Sequence, residues 1–213
     1  MYKASDQFIT SNNIVITVDE PEKAGIVQPT VTELKAVLDS IKHISLLAYV
    51  DTVSDKPLVS QVLTPGKVVD QHQRVDLDVT EWKLSNGIHV ILKPTDFKND
   101  EIEFVSYSSG GTSLVPDSDY IAAVTASSIV DQSGLADFDL ITLGKKLTGK
   151  LANATPYIGE YDEGLSGSSS TKDVETMFQL VYLYFTAPRK DSSAFISYQS
   201  KMKAMLTNRS ADP

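Results

Sequence analysis

The chain has 213 residues, 41% hydrophobic and 22% charged, a composition that suits an ordinary globular protein and excludes collagen-like, coiled-coil and wholly disordered chains. Nineteen Lys and Arg against 28 Asp and Glu give a net charge of −9 and a pI of about 4.8, which argues against a surface built to neutralise nucleic-acid phosphates. The absence of cysteine removes disulfides, thiolate zinc sites, iron–sulfur clusters and cysteine nucleophiles together, and no run approaches the ~20 apolar residues that span a bilayer.

In chain order, the first residues carry no apolar stretch of signal-peptide length. Ile14-Val15-Ile16-Thr17-Val18 is a β-branched run that predicts a buried strand, closed by the breaker Asp19-Glu20-Pro21-Glu22. Thr30-Val31-Thr32-Glu33 has the spacing at which a hydroxyl and a carboxylate satisfy each other's helix-end N–H groups, so a helix starts there. Leu34, Val37, Leu38 and Ile41 give it one apolar stripe. From Asp51 to Thr80 neither a period of 2 nor one of 3.6 persists, which reads as an extended linker pinned by a few side chains.

Trp82-Lys83-Leu84, Ser85-Asn86-Gly87 and Ile88 to Lys93 then predict a β-hairpin, because Asn-Gly tolerates the positive φ of a tight turn. Glu103 to Ser108 alternates polar and apolar as a third strand, ending at Gly110-Gly111. A buried helix, capped by Asp or Ser, is predicted over Asp117 to Asp131, and a shorter one over Phe138 to Leu147. Two strands, Ala152 to Gly159 and Glu160 to Ser168, precede a cap at Ser170-Thr171-Lys172-Asp173. The helix that follows carries Val174, Met177, Phe178, Val181, Leu183 and Phe185 as its apolar face, up to Pro188. The last helix, Ser192 to Leu206, carries Phe195, Tyr198, Met202, Met205 and Leu206 on one side. Strands grouped with strands and helices with helices predict an α+β fold, an antiparallel sheet flanked by helices.

Chemistry is sparse. His43, His72 and His89 lack the i, i+3 or i, i+4 spacing that places two imidazoles on one metal. The acidic groups Asp76, Asp78, Glu81 and Asp96, Asp100, Glu101, Glu103 do not match a calcium loop and read as solvated. Gly110-Gly111-Thr112-Ser113 invites a phosphate cradle, but no Gly-Lys-Ser/Thr or Gly-x-Gly-x-x-Gly completes it. Ser166-Gly167-Ser168-Ser169-Ser170 has no nucleophile-elbow pattern. Asn153-Ala154-Thr155 and Asn208-Arg209-Ser210 match glycosylation sequons, a pattern that also arises by chance.

The stretch from Val79 to Phe97, followed by Ser109-Gly110-Gly111-Thr112-Ser113, resembles the domain opening of the insulinase/pitrilysin-type (inverzincin) zinc metallopeptidases. In that family the next helix carries H-x-x-E-H, two zinc-binding histidines around a water-activating glutamate, and a later helix supplies one more glutamate. Laid residue by residue, Ala123 and Ser127 fall on the histidines and Ala126 on the base; Ala204, after 76 intervening residues, falls on the remaining glutamate. The resemblance therefore implies no catalytic and no metal residue in this chain. It implies the non-catalytic C-terminal half of a large bacterial two-half member, with zinc expected in the parent's other half.

On that reading, residues 1–48 end the preceding, first-half domain, 49–80 are the inter-half linker, and 81–213 begin a non-catalytic metallopeptidase-like domain, truncated before its remaining strands. The expectation is a fragment that walls a peptide-enclosing chamber in a zinc-dependent metalloendopeptidase hydrolysing peptides and proteins. The alternative is a peptide-binding or scaffold protein with no protease activity in either half. Expected partners are the other half of the same chain and peptide substrates, without nucleic acid or a membrane span, and with homo-dimerisation through an exposed sheet edge. Family analogy alone points to a periplasmic or extracytoplasmic location.

Overall fold

The computed structural model describes residues 15–19, 25, 27–45 and 55–211, and the chain divides into two units, Met1–Asp51 and Thr52–Pro213. In the first unit, helix α1 (Val31–Lys42) begins at the reciprocal cap. Thr30 N and Oγ1 both donate to Glu33 Oε2 (2.7 and 2.8 Å), and Glu33 N donates to Thr30 Oγ1 (3.2 Å). Leu34 and Leu38 of the expected stripe are half-buried, Val37 is exposed, and nothing is described of the Ile41 side chain. The strand predicted over Ile14–Val18 is not formed by its described part. Ile14 lies outside the described residues, while residues 15–19 carry no regular structure and Val15 is 88% exposed. β-branching favours a strand only where a neighbour supplies ladder bonds, and no described strand runs beside this one.

The second unit holds two three-stranded antiparallel sheets, so the α+β class stands with its strands divided between two sheets. The first has the order β1 (Val68–Arg74), β2 (Val79–Leu84), β3 (His89–Leu92). Its β2–β3 hairpin turns at Gly87, φ 89°, with Leu84 N donating to Ile88 O (2.8 Å) and Gly87 N to Leu84 O (2.9 Å). Strand β1 lies inside the 49–80 stretch that reads as an extended linker, pairing Gln71 with Trp82 and His72 with Glu81. Every β1 residue is exposed, so no buried face imposes the alternation by which a sequence announces a strand.

The second sheet has the order β4 (Ile102–Ser109), β6 (Asp162–Ser169), β5 (Ala152–Ile158). Leu165, Gly167 and Ala154 are buried on its inner face, against which α2 (Tyr120–Ser133) and α4 (Val174–Thr186) pack. Helix α4 inserts Met177, Leu180 and Leu183 into the interior, and Phe178 meets Phe104 of β4 edge-on, ring centroids 5.4 Å apart. Leu135, Phe138 and Leu143, from the α2–α3 turn and α3 (Leu140–Lys146), join Ala154, Leu180 and Leu183 in the core. Helix α5 (Ser192–Ala211) packs on α2.

Three helical expectations need correction. Helix α2 is half-buried rather than buried: Ile121 is 70% exposed, and a 3-10 turn at Asp117–Asp119 leads in without a side-chain cap. On α4, Phe178 and Phe185 are exposed, because the sheet takes only the Met177, Leu180 and Leu183 side. On α5 the half-buried residues are Ala194, Tyr198 and Met202, while Phe195, Met205 and Leu206 are exposed, since α2 covers only one narrow stripe.

Gly111 sets the exit from β4. It adopts φ +64°, and a Cβ there would lie 2.4 Å from Gly159 O, so the β5–β6 turn closes directly against the backbone. No described helix is long and apolar enough to cross a membrane.

Candidate functional site

Helix α2 carries Ala123, Ala126 and Ser127, all half-buried, and α5, packed against it, carries Ala204, which is exposed. The four positions that the resemblance sets on the family's zinc and base residues thus lie on two helices in contact. Their chemistry is three methyl groups and one hydroxyl. Zinc needs imidazole, thiolate or carboxylate donors, so these residues do not fit the ion. The neighbouring hydroxyl of Thr125 donates back to Ile121 O (2.8 Å), a local bond within the helix. Asp131, one turn beyond Ser127, accepts from Tyr184 Oη (2.9 Å) and ties α2 to α4. Burial, reinforced by the Asp131 charge, pushes the Tyr184 phenol well above its ordinary range, so it stays a proton donor.

A cleft of about 370 Å³ opens where α2 ends and α3 and α5 begin, and it holds Asp139 and Asp191. Both carboxylates are committed to helix ends. Asp139 accepts from Thr142 N (2.7 Å), and Asp191 from the Ser193 hydroxyl (2.5 Å) and the amides of Ser193 (2.9 Å) and Ala194 (3.1 Å). The Ser193 hydroxyl, then the Ala194 amide, hold the Asp191 carboxyl down at about 2, and the Thr142 amide lowers that of Asp139. These bonds lower both carboxyls, away from the near-neutral range in which a general acid or base works best.

The other sequence candidates stay apart. His72 (β1) sits 3.1 Å from Asp70 Oδ2, His89 opens β3 opposite Lys83, and His43 follows α1. Among the described residues no group of three His, Cys, Asp or Glu is placed to hold a metal. The amides that would cradle a phosphate at Gly110–Ser113 are occupied: Gly110 N donates to Tyr161 O, Thr112 N to Gly159 O and Ser113 N to Glu160 O, at 2.8–2.9 Å. In the serine run, Ser169 is buried on the inner face of β6, and Ser170 Oγ donates to Asp173 Oδ2 (2.9 Å) at the head of α4. Leu151 N also donates to that carboxylate (3.0 Å) and, with Ser170, holds it below its ordinary range. The Asn153 amide is bonded to Ser168, and Asn208 lies on α5.

A second cleft involves residues that the sequence marked only as an extended linker pinned by side chains. Residues 55–61 carry no regular structure, and 56–61 line one side of a cleft of about 440 Å³ lined also by Ala136, Phe138, Tyr182, Leu183 and Thr186. Leu58 and Val59 are the pins, half-buried against the core cluster. Lys56 Nζ lies 3.4 Å from Asp137 Oδ2 at one end, and Gln61 Nε2 donates to Tyr182 Oη at the other. The one legible signal was Pro57-Leu58-Val59, an apolar pair behind a proline that keeps its predecessor extended.

No protein-family profile matches the chain. Over 85% of its length it is 30% identical to a protein of Arabidopsis thaliana described as zinc protease PQQL-like, of which it covers 16%. Over 50% of its length it is 27% identical to the probable zinc protease PqqL of Haemophilus influenzae, of which it covers 11%. The chain therefore spans less than a fifth of either relative. Among solved structures it superposes on the periplasmic protease PqqL from Escherichia coli, with TM-score 0.66 and 19% identity, covering 84% of this chain and 20% of that one. It also superposes on the ferredoxin protease FusC bound to Arabidopsis ferredoxin, with TM-score 0.58 and 20% identity, covering 78% of this chain and 18% of that one. At these identities the two superpositions establish the fold.

Proposed function

For this chain of the insulinase/pitrilysin-type zinc protease family, we propose a non-catalytic role: it is a segment of a longer peptide-hydrolysing metallopeptidase and forms part of the wall enclosing the peptide. One observation carries the reading. The resemblance sets Ala123, Ala126, Ser127 and Ala204 on the four positions where the family writes two histidines and two glutamates, and their side chains are three methyl groups and one hydroxyl, which do not suit zinc or a general base near pH 7. No hydrolytic step is assigned to this segment, and the water-activating chemistry belongs to the parent's other half. On this reading the segment contributes surfaces, and its pairing with the other half of the same chain sets the enclosed volume. The periplasmic location of PqqL from Escherichia coli, which shares this fold, supports an extracytoplasmic location for this chain.

The test compares the 213-residue chain with its full-length parent for zinc content and for chelator-sensitive cleavage of a quenched peptide mixture. The expected result is about one zinc per parent with cleavage, and neither zinc nor cleavage for the segment alone. Stoichiometric zinc on the segment would overturn the reading. A parent with neither would make the protein a peptide-binding scaffold.

A further inference from the structure

The chain contains a single Asn-Gly pair, Asn86-Gly87, and the structure sets it at the tip of the β2–β3 hairpin with both residues exposed. The turn itself calls for glycine, since φ at Gly87 is 89°. Glycine also leaves its own amide nitrogen unshielded: the position a Cβ would take has nothing within 4 Å. The Asn86 side chain folds back along the turn, its Oδ1 accepting from Ile88 N (3.2 Å), so that Gly87 lies inside the ring this bond closes. An N–H on that oxygen also stabilises the negative charge that develops there when the attached carbon is attacked. The Gly87 N–H is engaged by Leu84 O (2.9 Å), a bond that must open before the nitrogen can react. The sheet behind it resists opening weakly, since Val79 is the one fully buried residue of its three strands.

We propose that Asn86 is a site of spontaneous deamidation whose isoaspartyl product unpairs the β2–β3 hairpin. The Gly87 nitrogen forms a bond to Asn86 Cγ, its proton passes through water to the side-chain nitrogen, and the bond from Cγ to that nitrogen breaks with loss of ammonia, leaving a five-membered succinimide. Water then opens the ring at either carbonyl, so the balance is one water consumed and one ammonia released, with no oxidant or reductant. Cleavage between Gly87 N and Cγ gives aspartate at position 86, whose carboxylate still accepts from Ile88 N. Cleavage between Gly87 N and the main-chain carbonyl carbon gives isoaspartate, in which the main chain runs through Cβ and Cγ and is longer by one atom. That atom enters a turn in which Leu84 N reaches Ile88 O (2.8 Å) and Gly87 N reaches Leu84 O (2.9 Å). The turn then no longer matches the register it closes, Lys83 with His89 and Trp82 with Val90. The inference rests on the hairpin alone and holds or fails independently of the zinc-protease reading.

The test holds the 213-residue chain at mildly alkaline pH and physiological temperature and samples it over days, beside a synthetic peptide of residues 82–92 that sets the rate without the fold. Peptide mapping by mass spectrometry should show Asn86 converting several-fold faster than Asn99 or Asn153, with isoaspartate, detected by an isoaspartyl-specific methyltransferase, accumulating beside aspartate. The chain's single tryptophan reports the hairpin: Trp82 is half-buried on β2 opposite Val90, so its emission should move to the red in step with isoaspartate. Asn86→Ser, whose hydroxyl cannot cyclise in this way but can still accept from Ile88 N, should keep its mass and its emission over the same period. An intact Asn86 in the chain after the peptide has fully converted would overturn the site, as would equal conversion at Asn86, Asn99 and Asn153. Isoaspartate at position 86 with an emission no different from that of Asn86→Ser would overturn the unpairing.

Discussion

Gly111→Ala tests whether the exit from β4 is dictated by backbone contact. The added Cβ would sit 2.4 Å from Gly159 O and 2.9 Å from both N and O of Asp162, all backbone atoms that no rotamer change can move. Restoring ordinary contact needs a retreat of roughly 1 Å, at a carbonyl that accepts the Thr112 N–H at 2.9 Å. Holding alanine at φ +64° costs about 1–2 kcal/mol, and weakening one or two turn hydrogen bonds costs about 1 kcal/mol each. The total is about 3 kcal/mol, which for a domain of this size lowers Tm by about 6–12 °C. Thermal unfolding followed by circular dichroism reads it, with Gly144→Ala as the reference. That glycine lies inside α3 with nothing within 4 Å of its Cβ position, so alanine there should stabilise by about 0.5–1 kcal/mol. Equal melting of Gly111→Ala and wild type would refute the steric reasoning, as would equal destabilisation at both sites.

The remaining expectations concern packing, protonation and metal. Met177→Ala, at a fully buried side chain, should lose about 3 kcal/mol in denaturant titration, while Phe178→Ala, at a side chain 49% exposed, should lose less than half of that. The Asp191 carboxyl is held at about 2, below the ordinary 3.8, so its stabilisation is complete above about pH 4 and fades as pH falls through about 2. Asp191→Asn should flatten that limb of the stability curve measured between pH 2 and pH 5. Tyr184 shifts the other way: its contribution is complete below its ordinary 10 and lost as pH climbs beyond it, so Tyr184→Phe should blunt alkaline unfolding. Placing imidazoles at i and i+4 on α2, with Ala123→His and Ser127→His together, should create zinc binding detectable by calorimetry. An unchanged titration would show that the half-buried helix face does not admit the ion.

Local chemistry was legible and pairing was not. The Thr30–Glu33 box, the Asn86–Gly87 turn and the Ser170–Asp173 cap each involve groups within three residues, so the sequence contains the whole interaction. The division into two sheets depends on β4 choosing β6, a partner some 60 residues away, over the adjacent hairpin, and no periodicity records that choice. Strand β1 was invisible for a related reason, since Asp70-Gln71-His72-Gln73 has no face to hide. At the candidate site, Ala123, Ala126, Ser127 and Ala204 stand out only when set beside a family whose ligands they lack. Alone they are ordinary helix residues. Pro57-Leu58-Val59 left a trace, but the core that Leu58 and Val59 pack against is assembled from the α2–α3 turn and α4, about 80 and 125 residues further on.

The β1–β2–β3 sheet has a cooperative consequence. Its burial is slight, with Val79 buried and Thr80, Glu81, Trp82, Leu84 and Val90 half-buried, so opening it exposes less apolar surface than opening the core does. The free energy of that local opening is therefore a small fraction of the global value, whereas β5, β6 and α4 share one interior and open together. Amide exchange should accordingly fall into two tiers, with the hairpin sheet losing protection first while the rest of the unit stays folded. A region of this kind can deform to fit a neighbour without drawing on the stability of the layer that carries α2.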